Sequence, residues 1–245
     1  MIDRLRAGAT VLCLVLLTLV SGCASVPSGD GDVQFAEKSD QQWFALRFRL
    51  HWPQDQALDF SPHLLIADRF LSPLIANYSE QLPLWRVHRR AARDSAGHRF
   101  SFLFYADAET ADSVFSSARD NDLLNTLLDH GIIEELQIRT NDYQDNQRIA
   151  GTSDPTWSAS VQTSWPLFIM GVSRSWIGLI GEVRNETKGP DEDTVEGLLD
   201  YYREVSTRVT EIWGREGRHA YLHHLNAVFG YTPVYIFETD SWQNF

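Results

Sequence analysis

Three histidines near the C-terminus, His219, His223 and His224, have a spacing that suits metal binding. Side chains four residues apart lie on one face of a helix, so the imidazoles of His219 and His223 could converge on one metal ion. Zinc peptidases with this spacing place a glutamate directly after the first histidine, and Ala220 stands there instead. Because no third ligand is identifiable from spacing, an exposed helix face is the simpler interpretation. The sequence therefore predicts no metal or other cofactor.

An arginine-rich hairpin is the second feature that points to chemistry. Between residues 86 and 99 the chain has one acidic residue, Asp94, and five arginines: Arg86, Arg89, Arg90, Arg93 and Arg99. The planar guanidinium group binds phosphate and carboxylate groups through paired hydrogen bonds. These five arginines are therefore the candidate anion-binding residues of the chain.

The strand period predicts which hairpin side chains share a face. Because successive side chains alternate, Arg86, His88 and Arg90 should lie on one face of the strand and Arg89 on the other. The alternative is a solvated hairpin whose arginines pair with nearby acids such as Asp107, which would give them no binding role.

A tryptophan-rich stretch contains Trp157, Trp165 and Trp176. Aromatic residues beside an apolar helix are typical of a membrane interface, although Arg174 and its flanking serines interrupt this run. A domain without disulfides must bury large aromatic side chains, so we expect this helix to lie in the core. The nearby sequence Gly-Val-Ser-Arg-Ser lacks the final glycine that a serine-hydrolase elbow needs.

The elements that carry these residues alternate between strand and helix. Apolar periodicity and turn residues predict a strand at 43–50, a helix from Ser61 that Pro73 kinks or breaks, strands at 84–90 and 99–106, helices at 109–119 and 122–130, and a strand at 132–139. This β-α-β-β-α-β order is that of the ferredoxin-like arrangement. We therefore expect an α+β fold with a ferredoxin-like core.

The second half of the chain is predicted to be helical. Residues 141–155 are polar and mark a loop, where the domain could be subdivided. Apolar stripes beyond the loop predict helices at 166–183, 195–213 and 218–229, followed by a possible last strand at 234–237. We expect residues 42–245 to form a single domain.

Composition and charge limit the function classes. The chain has 245 residues, of which 43% are hydrophobic, as in an ordinary globular protein. The 33 Asp and Glu residues outnumber the 21 Lys and Arg residues and give a net charge of −12. Such a charge argues against a protein that coats nucleic acid, whose phosphates would repel it.

The N-terminus has the features of an export signal. Arg4 and Arg6 precede an apolar run at residues 11–20, which is about half the length of a membrane span. The run ends in Val20-Ser21-Gly22-Cys23. This segment resembles the lipobox of bacterial lipoproteins, although Leu is commoner at the position of Val20. The alternatives are an ordinary secretory signal and an uncleaved helix with an incidental cysteine.

The resemblance implies a lipid anchor. In that family signal peptidase II removes the leader, here residues 1–22, and the new N-terminal cysteine, here Cys23, carries acyl chains. Residues 24–41 are rich in Ser, Gly and Asp, and as a flexible tether they would span about 23 Å. Ala24 and Ser25, rather than aspartate, favour the outer membrane in the family's sorting rule, with the domain facing the periplasm.

Two functions are compatible with these features. The first is a membrane-anchored envelope lipoprotein whose domain is a non-catalytic binding or scaffold module for an envelope protein or an anionic envelope polymer. The second is a periplasmic metal-dependent hydrolase that uses His219 and His223. The first is favoured because no phosphate loop, dinucleotide fingerprint or cysteine metal knuckle occurs in the sequence.

Overall fold

A four-stranded antiparallel sheet is the frame of the structure. The computed structural model describes residues 40–139, 146–190, 194–236 and 241–243. The strands pair in the order β2-β3-β1-β4, with bounds β1 (Gln41–Leu50), β2 (Leu84–Ala91), β3 (His98–Asp107) and β4 (Ile133–Arg139). The predicted leader, the predicted lipidation site Cys23 and the predicted tether up to residue 39 lie outside the described residues, as do residues 141–145 of the predicted polar loop.

The helices lie before, between and after these strands, which confirms the α+β class. They are α1 (Ser61–Ile66), α2 (Ser72–Asn77), α3 (Ala108–Arg119), α4 (Asp122–Asp129), α5 (Ala159–Glu186), α6 (Val195–Ile212) and α7 (His224–Val228). A 3-10 helix spans Ile149–Thr152, and π-helical segments join α1 to α2 and α6 to α7. Strand β5 (Val234–Ile236) lies where the last strand is predicted, and it pairs with β6 (Ser241–Gln243).

Side-chain caps set the starts of α3 and α4. The carboxylate of Asp107 accepts a hydrogen bond from the backbone N–H of Thr110 at 2.7 Å, and the Asn121 side chain accepts one from Leu124 at 3.0 Å. These bonds satisfy amide groups that a helix leaves unpaired in its first turn. Asp107 therefore begins α3, which is a different role from the arginine pairing considered in the sequence.

The helix before β2 widens at Pro73 and is not broken there. A π-helical segment, Ala67–Leu71, links α1 to α2, and the Ser72 N–H bonds to the carbonyl of Ala67, five residues back. Proline has no N–H and collides with the carbonyl four residues earlier in an α-helix. The wider π turn accommodates this collision, so the chain stays helical through residue 77.

Two helices extend beyond their predicted bounds. Helix α5 begins at Ala159, seven residues before the predicted start. The chain from Val195 to Val228 stays helical without a break, because the π-helical segment Trp213–His223 continues α6 into α7. The helix passes through Gly214 and Gly217 without ending, and the Trp213 ring lies against Gly217.

One sheet face, called the inner face, carries the main core. Phe44, Phe48, Phe100 and Phe104 are buried there, and the paired rings of Phe44 and Phe104 stack with centroids 5.7 Å apart. Helices α1, α5 and α6 pack around this core. The apolar periodicity that predicts a strand at 43–50 is explained by this packing, because Phe44, Leu46, Phe48 and Leu50 all lie in the main core.

Helix α5 is buried as predicted only in its C-terminal half. Ile177, Ile180 and Val183 are buried in the main core, whereas Phe168 and Val172 are 40% and 46% exposed. The prediction that the whole helix is buried is therefore wrong for its N-terminal half, where one side of the helix faces solvent. In the described part of the chain no helix is both long and apolar enough to cross a membrane.

Candidate anion-binding site

The opposite sheet face, called the outer face, changes from apolar to basic along its strands. Strand pairing places one residue from each of β2, β3 and β1 side by side in four successive rows. In that order the rows are Leu84–Tyr105–Trp43, Arg86–Leu103–Ala45, His88–Ser101–Arg47 and Arg90–Arg99–Arg49. The first two rows are largely apolar, and the last consists entirely of arginine.

A short segment covers the apolar rows. Residues 146–153, called the covering segment, cross this half of the outer face, and Ile149 is buried against the aromatic rings beneath it. The indole N–H of Trp43 donates to the carbonyls of Arg148 at 3.1 Å and Ile149 at 3.0 Å. The Trp43 backbone N–H also donates to the carbonyl of Asn146 at 2.8 Å. Trp43 therefore holds the covering segment in place.

The last two rows, called the basic rows, surround a concave site. A cavity of about 170 Å³, called the basic pocket, is lined by Arg47, Arg86, His88, Arg90, Arg99, Ser101 and Leu103. This volume would hold several water molecules, each of which takes about 30 Å³ in the liquid. It is also adequate for one compact anionic group. The site thus combines four guanidinium groups, an imidazole and a hydroxyl around one small space.

Hydrogen bonds fix two of these arginines. Arg86 donates from Nη2 to the carbonyl of Thr152 in the covering segment at 3.2 Å. Arg90 forms an ion pair with Asp94 and also donates to the carbonyl of Gly97 at 3.2 Å. The same ion pair holds the pKa of Asp94 well below its usual range. Both guanidinium groups are therefore oriented by the fold before any ligand arrives.

The all-arginine row is flanked by carboxylates. At one end of the row Arg90 pairs with Asp94. At the other end Arg49 pairs with Glu134 at 3.1 Å. Glu135 of β4 follows Arg49 in the sheet. Like charges directly opposite each other in a sheet destabilise it. The carboxylates of Asp94 and Glu134 offset repulsion within the row.

The electrostatics of the pocket also act on His88. Partial desolvation, together with the positive charges of Arg86 and Arg90, lowers the pKa of this imidazole. A neutral imidazole can donate one hydrogen bond and accept another. An anion bound between the arginines would favour the protonated ring, because it would offset their charge.

The structure divides the five predicted arginines into two groups. Arg86, Arg90 and Arg99 lie together at the basic pocket, as the strand alternation predicts for the first two. Arg93 lies apart in the hairpin turn, where it donates to the carbonyls of Trp52 and Pro53 at 2.9 Å each. Its guanidinium stacks on the Trp52 ring. Arg93 therefore holds a turn and is no part of the pocket.

Arg89 points to the inner face, also as the alternation predicts. Its Nε donates to Nδ1 of His63 at 3.2 Å, and its guanidinium lies 4.1 Å from the centre of the Phe60 ring. Burial lowers the pKa of Arg89 to about 10. The residue remains cationic at neutral pH, but it is committed to packing and does not reach the basic pocket.

Arg47 and Ser101 are site residues that the sequence patterns missed. Arg47 lies opposite Ser101, which in turn lies opposite His88 on the next strand. The alternation of β1 indicates that Arg47 leaves the core, but not that β1 and β3 are neighbours. Only the long-range strand pairing brings these residues to the hairpin.

The C-terminal histidines do come together. The rings of His219 and His223 stack with their centroids 5.2 Å apart, and the His224 ring is 5.3 Å from that of His219. Nevertheless, across residues 40–139, 146–190, 194–236 and 241–243 no group of three or more His, Cys, Asp or Glu side chains is arranged to hold a metal ion. The metal-dependent hydrolase that would use His219 and His223 stays a prediction of the sequence.

Comparison with known proteins adds no further assignment. The chain matches no protein-family model, no curated protein and no solved structure at a significant level. Function is therefore inferred from the residues and their geometry.

The two buried histidines next to Arg89, His63 and His98, determine how stability should depend on pH. His63 and His98 are buried and stack at 4.6 Å, and both ring nitrogens of His98 lack hydrogen-bond partners. Burial and the nearby charge of Arg89 lower the pKa of both rings, more strongly for His63. In the unfolded chain each would titrate near its ordinary pKa of about 6.5. The unfolded state therefore takes up protons first as the pH falls.

We expect the free energy of unfolding to be constant above about pH 7 and to fall below about pH 6.5, by up to about 1.4 kcal/mol per pH unit for each neutral histidine. Urea denaturation at a series of pH values measures this slope. His98→Phe keeps the ring stack and removes the titration, so the slope should become shallower. His224→Gln, at an exposed position, should leave the slope unchanged. An identical slope in His98→Phe would contradict this explanation.

Proposed function

We propose that this chain is a lipid-anchored protein of the bacterial cell envelope whose domain binds an anionic group at the basic pocket. The observation that carries the binding role is the all-arginine row, Arg90–Arg99–Arg49, next to the pocket. A phosphate or carboxylate group held beside this row would lie among guanidinium groups that can form charge-assisted hydrogen bonds with it. The role proposed is binding or scaffolding, without catalysis.

The proposed fold of residues 41–139 is a ferredoxin-like core. Its support is the chain order of strand, helix, two strands, helices and strand, together with the sheet order β2-β3-β1-β4. In such a core the helices lie on one sheet face and leave the other open. The proposed binding site occupies the part of that open face which the covering segment does not reach.

The chemistry of the pocket indicates phosphate or carboxylate groups as ligands. Guanidinium groups form charge-assisted hydrogen bonds with both, and these bonds are about twice as strong as neutral ones. In the cell envelope such groups occur on anionic polymers and on acidic proteins, which are the partners proposed. The net charge of −12 disfavours nonspecific capture of anions elsewhere on the surface, so binding should be local to the basic rows.

The proposed location follows from the lipobox resemblance at Cys23. Acylation there would hold the domain at the membrane, and Ala24 and Ser25 favour the outer membrane with the domain facing the periplasm. More than one acyl chain is needed for stable anchoring, because a single chain binds a bilayer only weakly. The acyl chains would attach the chain to the membrane.

Loss of the pocket arginines should weaken anion binding. We expect Arg99→Gln or Arg47→Gln to reduce the affinity for inorganic phosphate about tenfold or more, because a hydrogen bond to a charged group contributes about 1.5–3 kcal/mol. NMR titration of arginine Nε–H signals with phosphate, repeated with acetate, measures the affinity and compares the two ligand classes. The signals of Arg47, Arg86, Arg90 and Arg99 should move in the wild-type protein.

Arg93→Gln is the matched control, since Arg93 belongs to the same hairpin and lies outside the pocket. It should leave phosphate affinity unchanged. Equal losses in Arg93→Gln and Arg99→Gln, or the lack of any saturable binding by the wild-type domain, would exclude the pocket as an anion site.

Mass spectrometry of protein isolated from native membranes tests the anchor. The mature chain should begin at Cys23 and carry acyl chains, and Cys23→Ser should block this processing. An intact leader, or an unmodified thiol at the first mature residue, would contradict the proposed location.

A further inference from the structure

An aromatic surface lies along the N-terminal half of α5. It consists of Trp157, Val161, Trp165, Phe168 and Val172, called the apolar stripe. The last four follow each other at intervals of four, three and four residues and so lie on one side of the helix. The rings are continuous, because the Trp165 centroid is 5.0 Å from that of Trp157 and 5.5 Å from that of Phe168. Trp157 and Val161 are 37% and 45% exposed.

The other sides of the helix fix the apolar stripe in place. Leu167 and Met170 pack on the cluster around Trp43. Ser173 is buried, and its hydroxyl oxygen accepts a hydrogen bond from the backbone N–H of Val87 at 3.1 Å while donating to the carbonyl of Ile169 at 2.7 Å. Because these contacts attach the helix to β2 and the covering segment, the apolar stripe is held outward as a rigid surface.

The sequence around the apolar stripe is unusual for a protein surface. From Pro155 to Ser173 the chain contains no Asp, Glu, Lys, Arg or His, while Asp154 and Arg174 flank this stretch. A large exposed apolar patch marks a contact site for a protein or a membrane. Tryptophan and phenylalanine are the residues that partition most readily into the headgroup region of a bilayer.

The apolar stripe lies on the helix that packs beside the entry of the tether. The described chain starts at Asp40, and three residues later Trp43 holds the covering segment and belongs to the cluster on which Leu167 and Met170 of α5 pack. Residues 24–39 connect this point to Cys23, and such a segment spans about 22 Å on average and at most about 55 Å. An anchored domain would therefore keep the apolar stripe within reach of the bilayer.

We infer that the apolar stripe docks on the lipid bilayer surface and forms a second membrane contact beside the acyl chains. This inference rests on the anchor part of the proposed function. From Val161 to Val172 the apolar stripe is about 16 Å long, so it lies in the interface instead of crossing the membrane. Tethering raises the local concentration of lipid at the domain, so even a weak interfacial contact would be populated.

Site-directed fluorescence on the lipidated mature chain tests this inference. After removal of the leader the only native cysteine is Cys23, which acylation would block, so Phe168→Cys introduces the sole reactive thiol. The protein is labelled there with bimane and reconstituted in vesicles of phosphatidylethanolamine with a minority of phosphatidylglycerol. Brominated phosphatidylcholine is then added to the lipid as the quencher.

The bimane at residue 168 should lose about half of its emission to the brominated lipid, because interfacial side chains lie about 5–10 Å deep. Val228→Cys is the matched control, since Val228 is 81% exposed and lies outside the apolar stripe. Its label should stay unquenched. Adding Trp165→Ser should reduce quenching at residue 168, whereas adding Phe229→Ser should not.

Three results would overturn the inference. They are no quenching at residue 168, equal quenching at residues 168 and 228, and excimer emission at low protein density from a second sample of Phe168→Cys that carries pyrene instead of bimane. The last would show that a second copy of the chain covers the apolar stripe. Labelling of the wild-type chain would instead reveal a free thiol at Cys23, which counts against the proposed anchor and not against docking.

Discussion

The hydrogen bonds of Trp43 determine what the outer sheet face can do. A sheet with helices on one side has a second side that must be covered or solvated. Here one indole N–H reaches two carbonyls of the covering segment, and the phenol of Tyr105 donates to a third, that of Gln147, at 2.7 Å. The covering segment consequently closes over the apolar rows and ends where the basic rows begin.

Two distinct surfaces depend on this arrangement. The basic pocket exists because the covering segment stops short of Arg47 and Arg99. The hydrogen bond from Arg86 to Thr152 fixes the position of one of its arginines. The apolar stripe exists because the covering segment leads directly into α5 and helps to fix its opposite side. The proposed anion site and the proposed membrane contact are thus built on neighbouring parts of one framework.

The sequence predicted local features well and long-range features less well. Alternation in β2 correctly separated Arg86 and Arg90 from Arg89, because it needs only neighbouring residues. Arg47 was missed, since its contribution requires the pairing of β1 with β3. The aromatic residues before residue 173 were assigned to the core, because buried and interfacial helices use the same residue types. Only tertiary packing shows that one side of α5 is left uncovered.

The role of Trp43 can be measured directly by hydrogen exchange of Trp43→Phe. This change keeps an aromatic ring and removes the indole N–H. The backbone amides of Gly151 and Ser153 donate to the carbonyls of Arg148 and Ala150 within the covering segment, at 2.9 Å each. We expect the protection of these amides and of the residue-43 amide to fall about fivefold or more, the size expected from about 1 kcal/mol, while the amides of β3 keep theirs. Unchanged exchange in the covering segment, or an equal loss throughout β3, would contradict the claim that Trp43 holds this segment in place.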